Sequence, residues 1–159
     1  VALKRQFGRA RSEELRYDLL AALTRLQGAE ILPFLKQVAL EEPKPLVRRG
    51  AMQCVTLVKP ETPATAEVLF IGLRDIDIEV REAAARLLRR GFNQYFGYNH
   101  RKNPVTQTRA IRQWEKFYEA HAGELTWSEE KRRFVLPGEA DEAAPVEKQP
   151  PESAAGQAP

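Results

Sequence analysis

The chain has 159 residues, 43% of them hydrophobic and 30% charged, with a formal net charge of +3. That is enough apolar material for one domain with its own core, while the single cysteine excludes an internal disulfide framework and a cysteine-built zinc cluster. No apolar run approaches the roughly 20 residues needed to span a bilayer, and no signal-peptide pattern is present.

Taken in order, Val1 to Phe7 reads as the end of a helix that Gly8 stops. Ser12 is a good N-cap for a second helix, with Leu15, Leu19, Leu20, Leu23 and Leu26 on one face and Gly28 at its end. Ala29 to Glu41 follows, with Ile31, Leu32, Leu35, Val38 and Ala39 inward. Its Pro33 fits only in the first turn, where a missing N–H costs nothing. Pro43-Lys44-Pro45 forces a turn, and Leu46 to Val58 is the partner helix. Thr62 and Pro63 start Ala64 to Leu73, and Asp75 or Asp77 caps Ile78 to Arg90. Gly91 closes that helix.

Three of these helices carry one pattern. Val80-Arg81-x-x-Ala84-Ala85-x-x-Leu88 repeats Val47-Arg48-x-x-Ala51-Met52-x-x-Val55, which repeats Leu15-Arg16-x-x-Leu19-Leu20-x-x-Leu23. The offsets are 33 and 32 residues. A fixed period in this range marks a helical repeat array in which each unit buries its face on its neighbours. Under that period Val1 falls at the place of Pro33, inside a repeat, so the expectation is that further repeats, or a partner, precede Val1.

The stretch GAEILPFLKQVALEEPKPLVRRGAMQCVTLV, Gly28 to Val58, resembles a HEAT repeat of the short bacterial type also found in phycobilisome-lyase-like proteins. The shared features are a first-turn proline, an apolar first helix, an acidic or proline-containing turn, then Val-Arg-x-x-Ala-x-x-x-Leu. Residues 59–91 repeat them, and residues 1–27 match in the second helix. The resemblance implies an all-α fold, a HEAT-type α-solenoid of antiparallel helix pairs, about two and a half repeats over residues 1–91. For function it implies a non-catalytic scaffold that binds a protein partner, although such repeats serve many unrelated ligands.

Residues 92–137 form an aromatic-rich segment. Phe92 to His100 turns the chain, and Asn103 and Pro104 begin a helix carrying Val105, Ala110, Ile111, Trp114, Phe117 and Tyr118. The FGYN sequence ahead of a helix with a central Trp resembles a closing element at the ends of some bacterial HEAT arrays. Thr126-Trp127-Ser128-Glu129 has the form of a capping box opening a short helix or turn through Arg133. Phe134 to Pro137 then lies as extended chain on the body. In residues 138–159 five acids and Lys148 give a net −4, which leaves +7 on the other 137 residues. This tail has little to bury and reads as disordered.

Second helices usually line the binding face of such a solenoid. Opposite the core positions Val47, Ala51, Cys54, Val55 and Val58 lie Arg49, Gln53 and Thr56. The equivalent rows are Tyr17, Ala21 and Thr24 before them, and Glu82, Arg86 and Arg89 after them. Stacked, these make a polar surface that grows basic toward the C-terminal end. Arg49, Gln53, Arg86 and Arg89 are the candidate partner contacts; a solvated helix face has the same composition. A basic groove also suits nucleic acid, and some HEAT-like proteins, including certain DNA-repair glycosylases, bind it. The aromatics of 92–127, interleaved with Arg101, Lys102, Arg109 and Arg112, suit either base stacking or a cap sealing the last repeat. A chromophore-lyase-like enzyme is a further alternative carried by fold resemblance alone.

The repeated Arg16, Arg48 and Arg81 read as structural, bonded to a turn acid such as Asp77 or to carbonyls of the adjacent repeat. Lys131-Arg132-Arg133 is a basic cluster of the kind usually left solvated. His100 and His121 have no carboxylate at ligand spacing, so no metal site is expected. Cys54, among apolar neighbours, reads as an inert thiol. No phosphate-binding glycine loop or hydrolase motif is present, and no catalytic residue or cofactor is assigned.

Overall fold

The computed structural model describes residues 2–139, with side chains from residue 4 onwards. The tail from residue 140, and Val1, lie outside the described residues. The described residues contain seven α-helices and one small hairpin. They are α1 (Ala2–Arg9), α2 (Glu13–Gln27), α3 (Leu32–Glu41), α4 (Pro45–Cys54), α5 (Thr65–Gly72), α6 (Ile78–Phe92), α7 (Thr108–His121), β1 (Thr126–Ser128) and β2 (Arg133–Val135). Short 3-10 turns lead into α3 and α7 and follow α4.

The helices form two layers. α2, α4 and α6 pack side by side in one, and α3, α5 and α7 in the other, with α1 joined to α3 where Phe7 meets Phe34 edge-on at 5.4 Å. The core lies between the layers, and its inward positions follow the helical period. Ile31, Leu35, Val47, Ala51, Cys54, Val68, Val80, Ala84 and Leu88 are all fully buried. Two glycines let the helices approach closely. A Cβ on Gly50 would stand 2.7 Å from the Tyr17 ring, and one on Gly72 would stand 2.4 Å from the Met52 sulfur.

The repeated arginines form a ladder along the turns. Arg16 reaches both carboxylate oxygens of Glu42 at 2.8 and 2.6 Å and the Ala10 carbonyl at 2.8 Å. Arg48 forks onto Asp75, Nε to Oδ2 at 2.7 Å and Nη2 to Oδ1 at 2.8 Å, and donates to the carbonyls of Glu42 and Pro43. Each therefore holds the turn before its own helix and the acid of the next unit's turn. Arg81 repeats the inner half of the pattern on Asp75 and Ile76, but its outer contact is the His100 carbonyl at 2.8 Å. The acid that Arg48 binds is Asp75, not Asp77. Asp77 instead caps α6, accepting from the Glu79 and Val80 amides.

Beyond α6 the chain closes the array. α7 lies beside α5, joined by Arg74–Glu115 at 2.8 Å and by the Phe70–Tyr118 ring pair. The Tyr98 hydroxyl donates to the Leu73 carbonyl at the end of α5, 2.5 Å away. The hairpin packs on α6, with Phe134 stacked on Phe92 at 5.1 Å.

Several local expectations fail for identifiable reasons. Gly8 and Gly91 lie inside helices; α6 ends instead at Asn93, whose φ of 50° is left-handed. Thr62 bonds the Ala64 amide, but α5 proper starts at Thr65. Thr126 to Ser128 is a strand, because Trp127 pairs across the hairpin with Phe134 and the rings meet at 5.2 Å. Gly138 and Glu139 continue an ordered turn, the Glu139 amide donating to the Leu136 carbonyl. Leu15 and Leu26 are exposed, at 49% and 72%, although their equivalents Val47 and Val58 are buried. No helix of the described residues covers that side of α2 as α2 covers α4.

The Arg48–Asp75 fork is nearly buried, at 10% and 6% side-chain exposure. Removing one member leaves the other charge without its partner. Arg48→Met should lower unfolding free energy by roughly 3–5 kcal/mol, read from urea denaturation. Arg48→Lys should recover little of this, because an ammonium cannot form the planar fork.

Candidate interaction surface

The outward row of the second helices is not uniform. On α2 the expected polar positions Ala21 and Thr24 are buried, at 5% and 0%, because α4 lies on them. Thr24 bonds back to the Leu20 carbonyl at 2.8 Å and also contacts the Cys54 thiol. On α4, Arg49 is half-buried and ion-paired with Glu79 of α6, while Gln53 lies one turn further along, half-buried. On α6, Glu82, Arg86 and Arg89 are exposed. Of the first unit's outward row only the half-buried Tyr17 remains open, and the second contributes a cation already neutralised by its neighbour.

Arg86 and Arg89 line a groove of about 620 Å³ between α6 and the segment after it. Asn93, Tyr95, Tyr98 and His100 form the facing wall. No carboxylate of the described residues pairs with either arginine; Glu82, on the same rim, is bonded to neither. Tyr95, 62% exposed, holds the Arg89 guanidinium 4.9 Å from its ring centroid, a cation–π contact that restrains the side chain. The groove thus holds two of the four sequence candidates. Arg49 and Gln53 lie outside it. The Glu79 partnership was available in the repeat register, since Glu79 aligns with Leu46, one turn before Arg49. The Tyr95 contact was not, because it depends on the left-handed turn at Asn93.

The other aromatics spend their faces on one another. Phe96 and Phe117 each pack on Trp114, at 5.0 and 6.5 Å, and Phe92 joins them. Trp114 and Tyr98 are buried. This cluster is the seal of the array, and among its rings Tyr95 alone stands well exposed.

Cys54 is fully buried, and desolvation pushes its thiol up to about 11. Tyr98 and Tyr118 are each pushed up to about 12, again chiefly by burial, with Glu67 adding to the effect on Tyr118. Among the described residues no three His, Cys, Asp or Glu side chains converge as a metal site requires. No helix of these residues is long and apolar enough to cross a membrane.

Stacked helical hairpins sealed at one end define an α-solenoid. A family model for HEAT repeats matches residues 2–89, more than half of the chain, and the chain belongs to that family. HEAT repeats are generally scaffolds for protein–protein contact and typically non-catalytic. Comparison with curated proteins and with solved structures gave no match.

The three raised groups set an alkaline limit. Each is held neutral in the fold and ionises more readily once exposed. Their contribution is therefore complete below pH 9 and is lost as pH rises through 11 to 12. The melting temperature should fall across that window. Tyr98→Phe, itself less stable at pH 7 for loss of the Leu73 bond, should fall less steeply.

Proposed function

We propose that this chain is a non-catalytic HEAT-repeat scaffold that holds an acidic protein segment along its second helices. Arg86 and Arg89 are the main contacts, Arg49 and Gln53 flank them, and residues 92–137 both seal the array and wall the groove. The supporting observation is the pair of exposed guanidiniums without a carboxylate partner among the described residues, one restrained by Tyr95. An arginine held in place loses less freedom on meeting a carboxylate, and its planar fork suits bidentate contact. Arg49 joins when a partner's acid competes with Glu79.

The test compares the full chain with Arg86→Glu/Arg89→Glu in pull-downs, with and without nuclease, at low and high salt. A discrete protein retained after nuclease by the native chain, and lost from the double variant, supports the scaffold. Affinity of the identified partner should fall about 10-fold or more in the variant. Nucleic acid retained at low salt and released steeply at high salt would replace the protein reading with a nucleic-acid one.

A further inference from the structure

A second depression, on another part of the fold, has a different character. It is a pocket of about 290 Å³ bounded by the segment after α4, the end of α6 and the hairpin. Its floor is apolar and preformed: Val55, Val58, Leu69, Phe92 and Phe134 are each at most 8% exposed. Trp127 forms one side. The polar groups around it are already engaged, with two exceptions. Lys59 is paired with Glu61, Thr65 donates to the Thr62 carbonyl, and Thr56 donates to the Gln53 carbonyl. Arg90 and Arg132 have no carboxylate partner among the described residues.

Two departures from local rules meet at this pocket. Gly91 is the penultimate residue of α6; glycine costs about 1 kcal/mol against alanine in a helix interior and less in the last turn. The equivalent positions in the earlier repeats are Leu26 and Val58, and no neighbour requires Gly91 to be small: a Cβ there would meet nothing within 4 Å. Gly91 is itself a lining residue of the pocket, and the space at its Cβ position is open. Arg132 stands in the hairpin loop at φ 49°, a left-handed position that glycine or asparagine fills with less strain. This arginine is one of the residues that line the pocket. Local rules broken without a structural return are expected at functional sites.

We propose that this pocket binds a small hydrophobic carboxylate, its apolar body on the Val58–Phe92–Phe134 floor and its carboxylate between Arg90 and Arg132. The volume lies just below the range of about 300–1,000 Å³ for ligand pockets, which limits the ligand to a single ring or a short aliphatic chain. The cations on the rim select an acid over its neutral analogue. Arg90 lines both this pocket and the Arg86–Arg89 groove, whereas the apolar floor, Trp127 and Arg132 belong to this pocket alone; the ligand proposed here does not depend on the scaffold reading.

The chain has two tryptophans, so its amide NMR spectrum carries two indole signals. Trp127 lines the pocket and Trp114 is buried in the seal. Titration of the full chain with 3-phenylpropionate should shift the Trp127 indole signal saturably at about millimolar concentration, leaving Trp114 unmoved. The matching amide should bind about 10-fold or more weakly. Arg132→Gly keeps the hairpin, since glycine suits that backbone, and Gly91→Leu keeps α6; each should lose the response, as should Arg90→Ala. Arg86→Glu/Arg89→Glu should retain it. No saturable Trp127 shift with either 3-phenylpropionate or hexanoate would overturn the proposal. So would equal binding of acid and amide, or an undiminished response in Arg132→Gly.

Discussion

The array depends on the bond from each repeat's arginine to the next repeat's turn. Apolar packing between helix layers is non-directional and tolerates sliding. Arg16 and Arg48 remove that freedom. Each guanidinium grips its own turn through carbonyls and the following turn through a carboxylate. The helices can then pack in only one register, and that register brings Gly50 under Tyr17 and Gly72 over Met52. The buried fork is costly to desolvate, so its contribution is to specificity of stacking more than to raw stability. The hydrophobic interior supplies the stability.

The C-terminal segment works because it answers the same demands with other groups. The last repeat presents an open α5 flank, an open α6 flank and an arginine without a following acid. α7 takes the position of a further first helix, and the hairpin covers α6 with Phe134. The His100 carbonyl receives Arg81, and Tyr98 satisfies the carbonyl at the end of α5. The seal is thus shaped by the repeat it closes, although it shares none of the repeat pattern. Both depressions arise where this substitute follows the helical template imperfectly: the Arg86–Arg89 groove beside the turn at Asn93, and the Gly91 pocket beneath the hairpin.

What was legible in the sequence was what local chemistry repeats. The Val-Arg-x-x-Ala pattern marked the second helices, their inward faces and the structural arginines, and through the HEAT resemblance it gave the family. The choice between Asp75 and Asp77 was not legible, because two acids two residues apart differ only in where the turn aims them. Leu15 and Val47 occupy one position in the pattern and opposite environments in the fold, since burial depends on what lies on the neighbouring side. The capping box at Thr126 was right for the turn at residues 129–132 and wrong for Thr126 to Ser128, where the short-range signal lost to the contact of Trp127 with Phe134. Of the candidate surface, Arg86 and Arg89 were readable as an outward row, but the wall that turns them into a groove is long-range. Gly91 was read as a helix stop, and only the open space at its Cβ position gives it another meaning.

The last rung of the arginine ladder has one further consequence. Arg16 and Arg48 end on carboxylates and carry no net charge as pairs, whereas Arg81, only 6% exposed, ends on three carbonyl oxygens. Its full positive charge is fixed in a low-dielectric setting close behind His100, on the wall facing Arg86 and Arg89. Solvent and salt screen such a charge less than one on the surface. The ladder therefore ends on a buried cation that no carboxylate of the ladder neutralises. Arg81 thus adds a fixed positive charge behind the groove that the exposed Arg86 and Arg89 side chains line.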